Sequence, residues 1–466
     1  MFGPTKSLET AAQHRAGQSL AKTLSWPHLI ALGVGAIVGT GIYTLVGVGA
    51  ERAGPAVILA FVICGLVCAC AALAYAELAT MIPAAGSAYT FSYVALGEGI
   101  AWVVGWSLIL EYALACSTVA VGWSGYLVGW IEAAGVHLPH ALLVGPHGGG
   151  IVNAPAVLVA LAVMGMLVAG TRESATLNIV LVIVKLAALV IFVTYAAPRF
   201  DAANLHPFMP YGFGSEGKHG VMAAAAIVFF AFYGFDTVAT SAEEAKNPKR
   251  DLTIGIVGSM AVCTVIYIAV AVSALGALPF TALANSAQPL ALVLRSIGQP
   301  FAAQLIALEA IIALPSVILV MMYGQSRVFF VMARDGLLPR WLAKVSKRTG
   351  APTRITLLTG VTIAAVAGVF RLDEIAELAN AGTLIAFISV GTCLMVLRRR
   401  KPDAKRLFRS PAPYLVGSLA ILGCLYLLVS LPPLTLGRFV LWNAAGLLIY
   451  FAVGWRRSDA AVAARR

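Results

Sequence analysis

Charge is what this sequence has least of: 11% of its 466 residues are charged, and 20 of them are acids. So few ionic groups cannot hydrate the surface of a soluble chain of this length. With 60% hydrophobic residues and a mean hydropathy of +0.90, the sequence reads as a polytopic membrane protein. Cysteine and histidine are sparse too, seven of each. The cysteines, from Cys64, Cys68 and Cys70 to Cys424, all fall in apolar runs as small buried hydrophobes without metal-ligand spacing. His137, His140 and His147 do not share a helical face, so neither metal nor cofactor is expected. An enzyme needs a nucleophile, base or ligand cluster near one membrane face, and the sequence offers none. The formal charge of +12 is spread over short joints between apolar spans, which argues against a nucleic-acid partner. Residues 1–27 lack the compact apolar core of a signal peptide, so the first span is expected to stay as an anchor.

Twelve apolar spans can be counted, at about 28–49, 55–80, 100–131, 155–170, 174–197, 220–242, 254–278, 301–333, 355–370, 376–397, 412–430 and 436–455. With the N-terminus inside, 24 of the 32 lysines and arginines fall on inner segments, against six outside. That bias makes both termini cytoplasmic. The expected order is a cytoplasmic segment 1–27, a five-span half 28–197, a second half 220–397, two further spans in 412–455 and a cytoplasmic tail 456–466. Met81 to Glu98 is mildly apolar and is expected to lie along the inner surface as a short amphipathic element. Glu132 to Ala154 reads as a solvated outer loop. The run Arg398 to Lys401 is a charge stop against the anionic lipid of the inner leaflet.

The first span does not read as a continuous helix. GVGAIVGTGIYTL carries Gly33, Gly35, Gly39 and Gly41 at membrane depth, where a break is tolerable only if the freed backbone groups meet protein, an ion or a polar substrate. A glycine-rich packing face is the alternative reading. The sixth span holds the matching irregularity, Gly234 between Tyr233 and Phe235-Asp236. Suspect segments at corresponding places in two five-span halves point to an inverted-repeat transporter with its site at the bilayer midplane.

Two charges lie deep in spans. Glu111 and Lys185 each sit 11 residues past a span start, on the order of 16 Å in. One reading pairs them as a structural lock. The other makes Lys185 a group that gains and loses a proton, because low dielectric penalises its charged form. Glu309 and Glu77 read as packing or hinge contacts.

The strings HLIALGVGAIVGTGIYTLVG, PAAGSAYTFSYVALGE, FFAFYGFDTVATSAEEAKNPKRD and GQSRVFFVMARDGLLP together resemble the amino acid, polyamine and organocation superfamily. Within it, the chain is similar to the bacterial branch of the cationic amino acid transporters. The resemblance implies an all-α membrane protein of twelve transmembrane helices. Its core is a five-plus-five inverted repeat with discontinuous helices 1 and 6, and two helices lie peripheral to it. It also implies secondary transport of amino acids across a cell membrane, here a bacterial inner membrane.

Carried onto this sequence, the resemblance gives the substrate carboxylate to the N–H groups of Gly39, Thr40 and Gly41. It gives the ammonium to carbonyls at Ile37, Phe230, Ala231 and Tyr233, and sets Met321 near the substrate side chain. A side chain on Gly41 is expected to invade the carboxylate space. Phe230, Phe232, Tyr233 and Phe235 belong to a hydrophobic gate. Lys185 matches the lysine that replaces sodium in proton-dependent members, so protons rather than sodium are the expected coupling ion. Phe, Tyr and Met321 around the pocket suit neutral amino acids such as alanine, serine or branched aliphatics. Glu111 or Asp236 would instead serve the distal charge of arginine or lysine. Symport and exchange use the same site, and a protein partner is not legible.

Overall fold

Proline sets many of the helix starts, since its missing N–H is an orphan in the first turn anyway. The computed structural model describes residues 4–7, 24–82, 86–170, 175–240, 245–284, 286–343 and 352–454. Most of segment 1–27 and all of tail 456–466 therefore lie outside the described residues. Regular structure within them is helical, apart from two isolated bridges, Leu24 with Ala245 and Glu216 with His219. The helices are α1 (Trp26–Ile37), α2 (Thr40–Tyr43), α3 (Leu45–Ala53), α4 (Val57–Met81), α5 (Ser87–Ala95) and α6 (Glu98–Ala133). Next come α7 (Ala154–Val168), α8 (Ala175–Ala196), α9 (Val221–Val228), α10 (Asp236–Thr240), α11 (Pro248–Ala277), α12 (Phe280–Ala284) and α13 (Pro289–Ser296). The chain ends with α14 (Pro300–Arg334), α15 (Thr353–Val369), α16 (Leu372–Arg400), α17 (Pro413–Val429) and α18 (Pro433–Ile449). Among the described residues, eight helical stretches are long and apolar enough to cross a membrane, and α1, α7, α15 and α17 are shorter apolar helices. Large apolar residues lie exposed along α8, α17 and α18, among them Ile183, Val190, Leu415, Leu422, Leu441 and Leu448, as expected of faces turned to lipid.

The centre of the bundle is α6, packed on α14 and α16, while α11 packs against α1 and α4. Pro315 interrupts α14 and cannot donate to the Ile311 carbonyl, which instead accepts from Trp123 Nε1 of α6 at 2.8 Å. Helix α18 attaches through tryptophan. Trp106 and Trp442 stack at 4.9 Å, and each indole N–H donates to the other's backbone carbonyl.

One joint departs from the sequence expectation. Helix α5 is buried along its whole length rather than lying on the membrane surface. Its aromatic and hydroxyl side chains are taken up inside the bundle, where Tyr89 donates to Asp335 Oδ2 at 3.0 Å and Tyr93 to Glu98 Oε2 at 2.8 Å. The joint from Glu132 to Ala154 is largely exposed, as a solvated loop is expected to be, and is pinned at two points. Asn153 N–H donates to the Gly368 carbonyl at 3.0 Å, and His147 Nδ1 lies 2.9 Å from Glu374 Oε2.

The two ends of the bundle differ. At one end Lys6 pairs with Asp335 at 2.9 Å, and Glu77 takes Arg398 at 2.7 Å and Arg406 at 3.0 Å, so Glu77 is a structural ion pair. At the other end a cavity of about 470 Å³ is bordered by Glu51, Arg52, Lys218, Arg371 and Asp373. Arg52 pairs there with the buried Glu377, which also accepts from Thr435 Oγ1 at 2.7 Å.

Candidate substrate site

Helix α1 stops at Ile37, and Val38 and Gly39 are extended before α2 begins. In an uninterrupted helix the Gly35 carbonyl would receive Gly39 N–H, and the Ile37 carbonyl would receive Gly41 N–H. Here Lys185 Nζ donates to the Gly35 carbonyl at 3.0 Å and Tyr267 OH to the Ile37 carbonyl at 2.8 Å. The second half begins its backbone bonding with Ile42 and Tyr43 N–H on the Gly39 carbonyl. Gly39, Thr40 and Gly41 thus form the first turn, whose N–H groups lie ahead of the helical ladder.

The second break is built differently. Helix α9 tightens into a 3₁₀ turn, Phe229–Phe232; Tyr233 is extended, and Gly234 has φ of +118° before α10. Side chains again meet carbonyls next to the break, including that of Ala225, which also keeps its helical bond from Phe229 N–H. Asn380 Nδ2 donates to the Ala226 and Ile227 carbonyls at 2.8 and 3.1 Å, and Cys64 Sγ to the Ala225 carbonyl at 3.2 Å.

A small cavity of about 10 Å³ lies between the breaks. It is lined by Ile37, Gly39, Thr40, Gly41, Phe230, Tyr233 and Met321, with Ala36, Ala115, Val119 and Val317. Seven of the residues expected from the sequence therefore converge on one place. Ala231 adjoins it through its backbone, which meets Gly41 so closely that a Cβ on Gly41 would strike Ala231 Cα. That corrects the expectation for Gly41: its missing side chain makes room for the sixth helix, not for a carboxylate. A space this small holds about one water, so binding a larger solute requires the breaks to move apart.

Phe232 and Phe235 turn away from the cavity. Phe232 packs on Phe61 and Tyr267 at centroid distances of 6.0 and 5.4 Å, and Phe235 on Tyr75 and Phe387 at 5.6 and 5.2 Å. Their aromatic character serves the core around the break. The Glu111–Lys185 lock is likewise overturned. Glu111 lies beside Asp236, which accepts from Tyr112 OH at 3.1 Å, whereas Lys185 is bonded to α1 and its charge acts on Glu309. Equal depth in two helices says nothing about which way each side chain faces.

Sequence reasoning missed Tyr267, Asn380 and Trp123, which satisfy backbone carbonyls, and Ala115, Val119 and Val317, which line the cavity. The available signal was spacing. Val317 lies one turn before Met321, Ala115 one turn after Glu111, and Asn380 is a polar residue in an apolar run.

A multi-pass helical protein that encloses a cavity between two interrupted helices has the architecture of a membrane transporter rather than an enzyme. The amino acid permease family profile matches residues 24–455, and this chain belongs to that family. It is 43% identical to the branched-chain amino acid permease BcaP of Bacillus subtilis over 97% of both chains. It is 41% identical to the methylthioribose transporter of the same organism, over 97% of this chain and 98% of the relative. With the vacuolar cationic amino acid transporter 4 of Arabidopsis thaliana it shares 38% identity over 82% of this chain and 64% of the relative. The superfamily resemblance drawn from the sequence motifs agrees with this membership.

Proposed function

We propose that this chain is a proton-coupled transporter that takes neutral, aliphatic L-amino acids into the cell. The observation that carries the substrate class is the cavity wall: Ala115, Val119, Val317, Met321 and Phe230 are apolar, and no carboxylate lines it among the described residues. The relatives named for branched-chain amino acids favour the same class. In this reading Gly39, Thr40 and Gly41 N–H groups hold the carboxylate, and carbonyls around Ile37, Phe230, Ala231 and Tyr233 hold the ammonium. Lys185 carries the proton and replaces sodium. Its bond to Gly35 ties it to the last turn before the break, so protonation and the shape of the carboxylate site act through one contact.

In this reading the chain crosses the membrane twelve times in two inverted halves, 28–197 and 220–397, with 412–455 peripheral. The Lys6 end and both termini face the cytoplasm of a bacterial inner membrane, and the wide cavity opens outward. A cationic substrate is the second reading, because Glu111 Oε2 is buried without a hydrogen-bond partner among the described residues, one helical turn from Ala115. Competition for labelled leucine uptake in proteoliposomes, by alanine, isoleucine, lysine, arginine and methylthioribose, separates these. The neutral assignment requires the aliphatics to compete and lysine to be inert; the reverse order overturns it. Accumulation under an inward proton gradient, with sodium replaced by choline, tests the coupling ion.

A further inference from the structure

Ile37 lines the small cavity, and its carbonyl accepts from Tyr267 OH at 2.8 Å, yet Tyr267 is not part of the lining. This tyrosine stands on α11 and is fully buried. Its ring is held edge-on by Phe61 at 6.1 Å and by Phe232 at 5.4 Å, so the hydroxyl is delivered to the break from a fixed aromatic mount. In a continuous helix the Ile37 carbonyl would take Gly41 N–H. Because Val38 and Gly39 are extended, that bond is not formed, and among the described residues Gly41 N–H has no backbone acceptor. A buried carbonyl without a donor is strongly disfavoured, so an unattended Ile37 would draw Gly41 N–H back and close the break. Tyr267 removes that drive. Since a carbonyl oxygen has two lone pairs, its second acceptor site stays open.

We propose that Tyr267 is a positioning residue for substrate binding: its hydroxyl competes with Gly41 N–H for the Ile37 carbonyl and so keeps that N–H free for the substrate carboxylate. The inference rests on the reading in which the N–H groups of Gly39, Thr40 and Gly41 hold the carboxylate. Tyr267 acts through Ile37 and touches no substrate atom. One hydroxyl thereby serves both ends of a zwitterion, because it frees a donor for the carboxylate and fixes the carbonyl whose remaining lone pair meets the ammonium. Lys185 holds the Gly35 carbonyl in the same way, but with a charged group. Tyr267 is its neutral counterpart two residues along α1.

The test uses the purified full chain and two readouts. The first needs no substrate: hydrogen–deuterium exchange of a peptide covering positions 38–43. Tyr267→Phe keeps the ring and removes the hydroxyl, so the Gly41 amide should gain the Ile37 carbonyl and exchange about tenfold more slowly. Unchanged or faster exchange, as loss of mere packing support would give, overturns the proposal. The second readout is equilibrium competition against labelled leucine by leucine and by leucinol, which keeps the ammonium and the side chain but has no carboxylate. In Tyr267→Phe the affinity for leucine should fall about tenfold and that for leucinol by less than about twofold. Equal losses for the two ligands also overturn the proposal. Tyr267→Met has no donor either and packs through other rotamers; it must give the same signs, and it keeps the test decisive if Tyr267→Phe fails to fold. If Gly41 exchange slows while leucine affinity is untouched, the carboxylate assignment falls on its own, and the slowed exchange still supports the hold of Tyr267 on the break.

Discussion

The two breaks that frame the cavity use glycine for different physical reasons. In the first, Val38 and Gly39 adopt extended dihedrals open to any residue, and the demanding position is Gly41, where the backbone of Ala231 leaves no room for a side chain. In the second, Gly234 sits at φ of +118°, and a Cβ there would also lie 3.0 Å from the Ala36 carbonyl carbon. One break is limited by space and the other by conformation. Each also has its own charged attendant: Lys185 bonds the first break, and the Glu111–Asp236 pair flanks the second.

The comparison is most easily broken at Gly41. Valine there collides with backbone that cannot rotate away, and an overpacking cost of about 3 kcal/mol or more lowers leucine affinity roughly 100-fold. Near-normal affinity in Gly41→Val, read by equilibrium binding to purified protein, would show that the two helices do not meet there. Gly234→Ala imposes backbone strain of about 1–3 kcal/mol, which corresponds to roughly a tenfold loss of affinity or more. An unimpaired Gly234→Ala would remove the distinction between conformation and space.

The charged attendants sharpen the contrast rather than break it. Lys185→Ala releases the Gly35 carbonyl, so concentrative uptake should be lost while a weaker exchange that ignores pH survives. Undiminished proton-driven accumulation by this variant rules out its coupling role. Glu111→Gln acts at the second break; uptake should slow by about threefold or change its substrate preference, yet retain its response to a proton gradient. A vanished response with binding intact would put Glu111 in the proton path. The smallest effect is expected from Gly39→Ala, whose new Cβ meets Val317 at 3.5 Å, an ordinary contact. Its affinity should stay within about twofold, and a Gly41-sized loss would show that both glycines are limited by space.

Much of this architecture was legible. Apolar run length located the helices, and bounds such as 55–80 against Val57–Met81 or 155–170 against Ala154–Val168 differ by one or two residues. The breaks were legible because glycine at membrane depth is a poor helix former that exposes backbone. The direction of side chains was not. Phe232 and Phe235 lie in the same string as Phe230 and Tyr233, and the 3₁₀ turn with its extended exit decides which of the four reach the cavity.

The sequence by itself determined the membrane class, the helical order, the places of the two breaks and the family, because hydropathy, glycine position and contiguous motifs are local properties of the chain. Only the tertiary structure decided partners. Lys185 serves Gly35 across 150 positions, Tyr267 serves Ile37 across 230, and Asn380 serves Ala226 across 154. The reason is the demand of a low-dielectric interior that each freed carbonyl find a donor, a demand that any nearby helix can meet. Which helix meets it is fixed by packing geometry, and no local pattern encodes that choice.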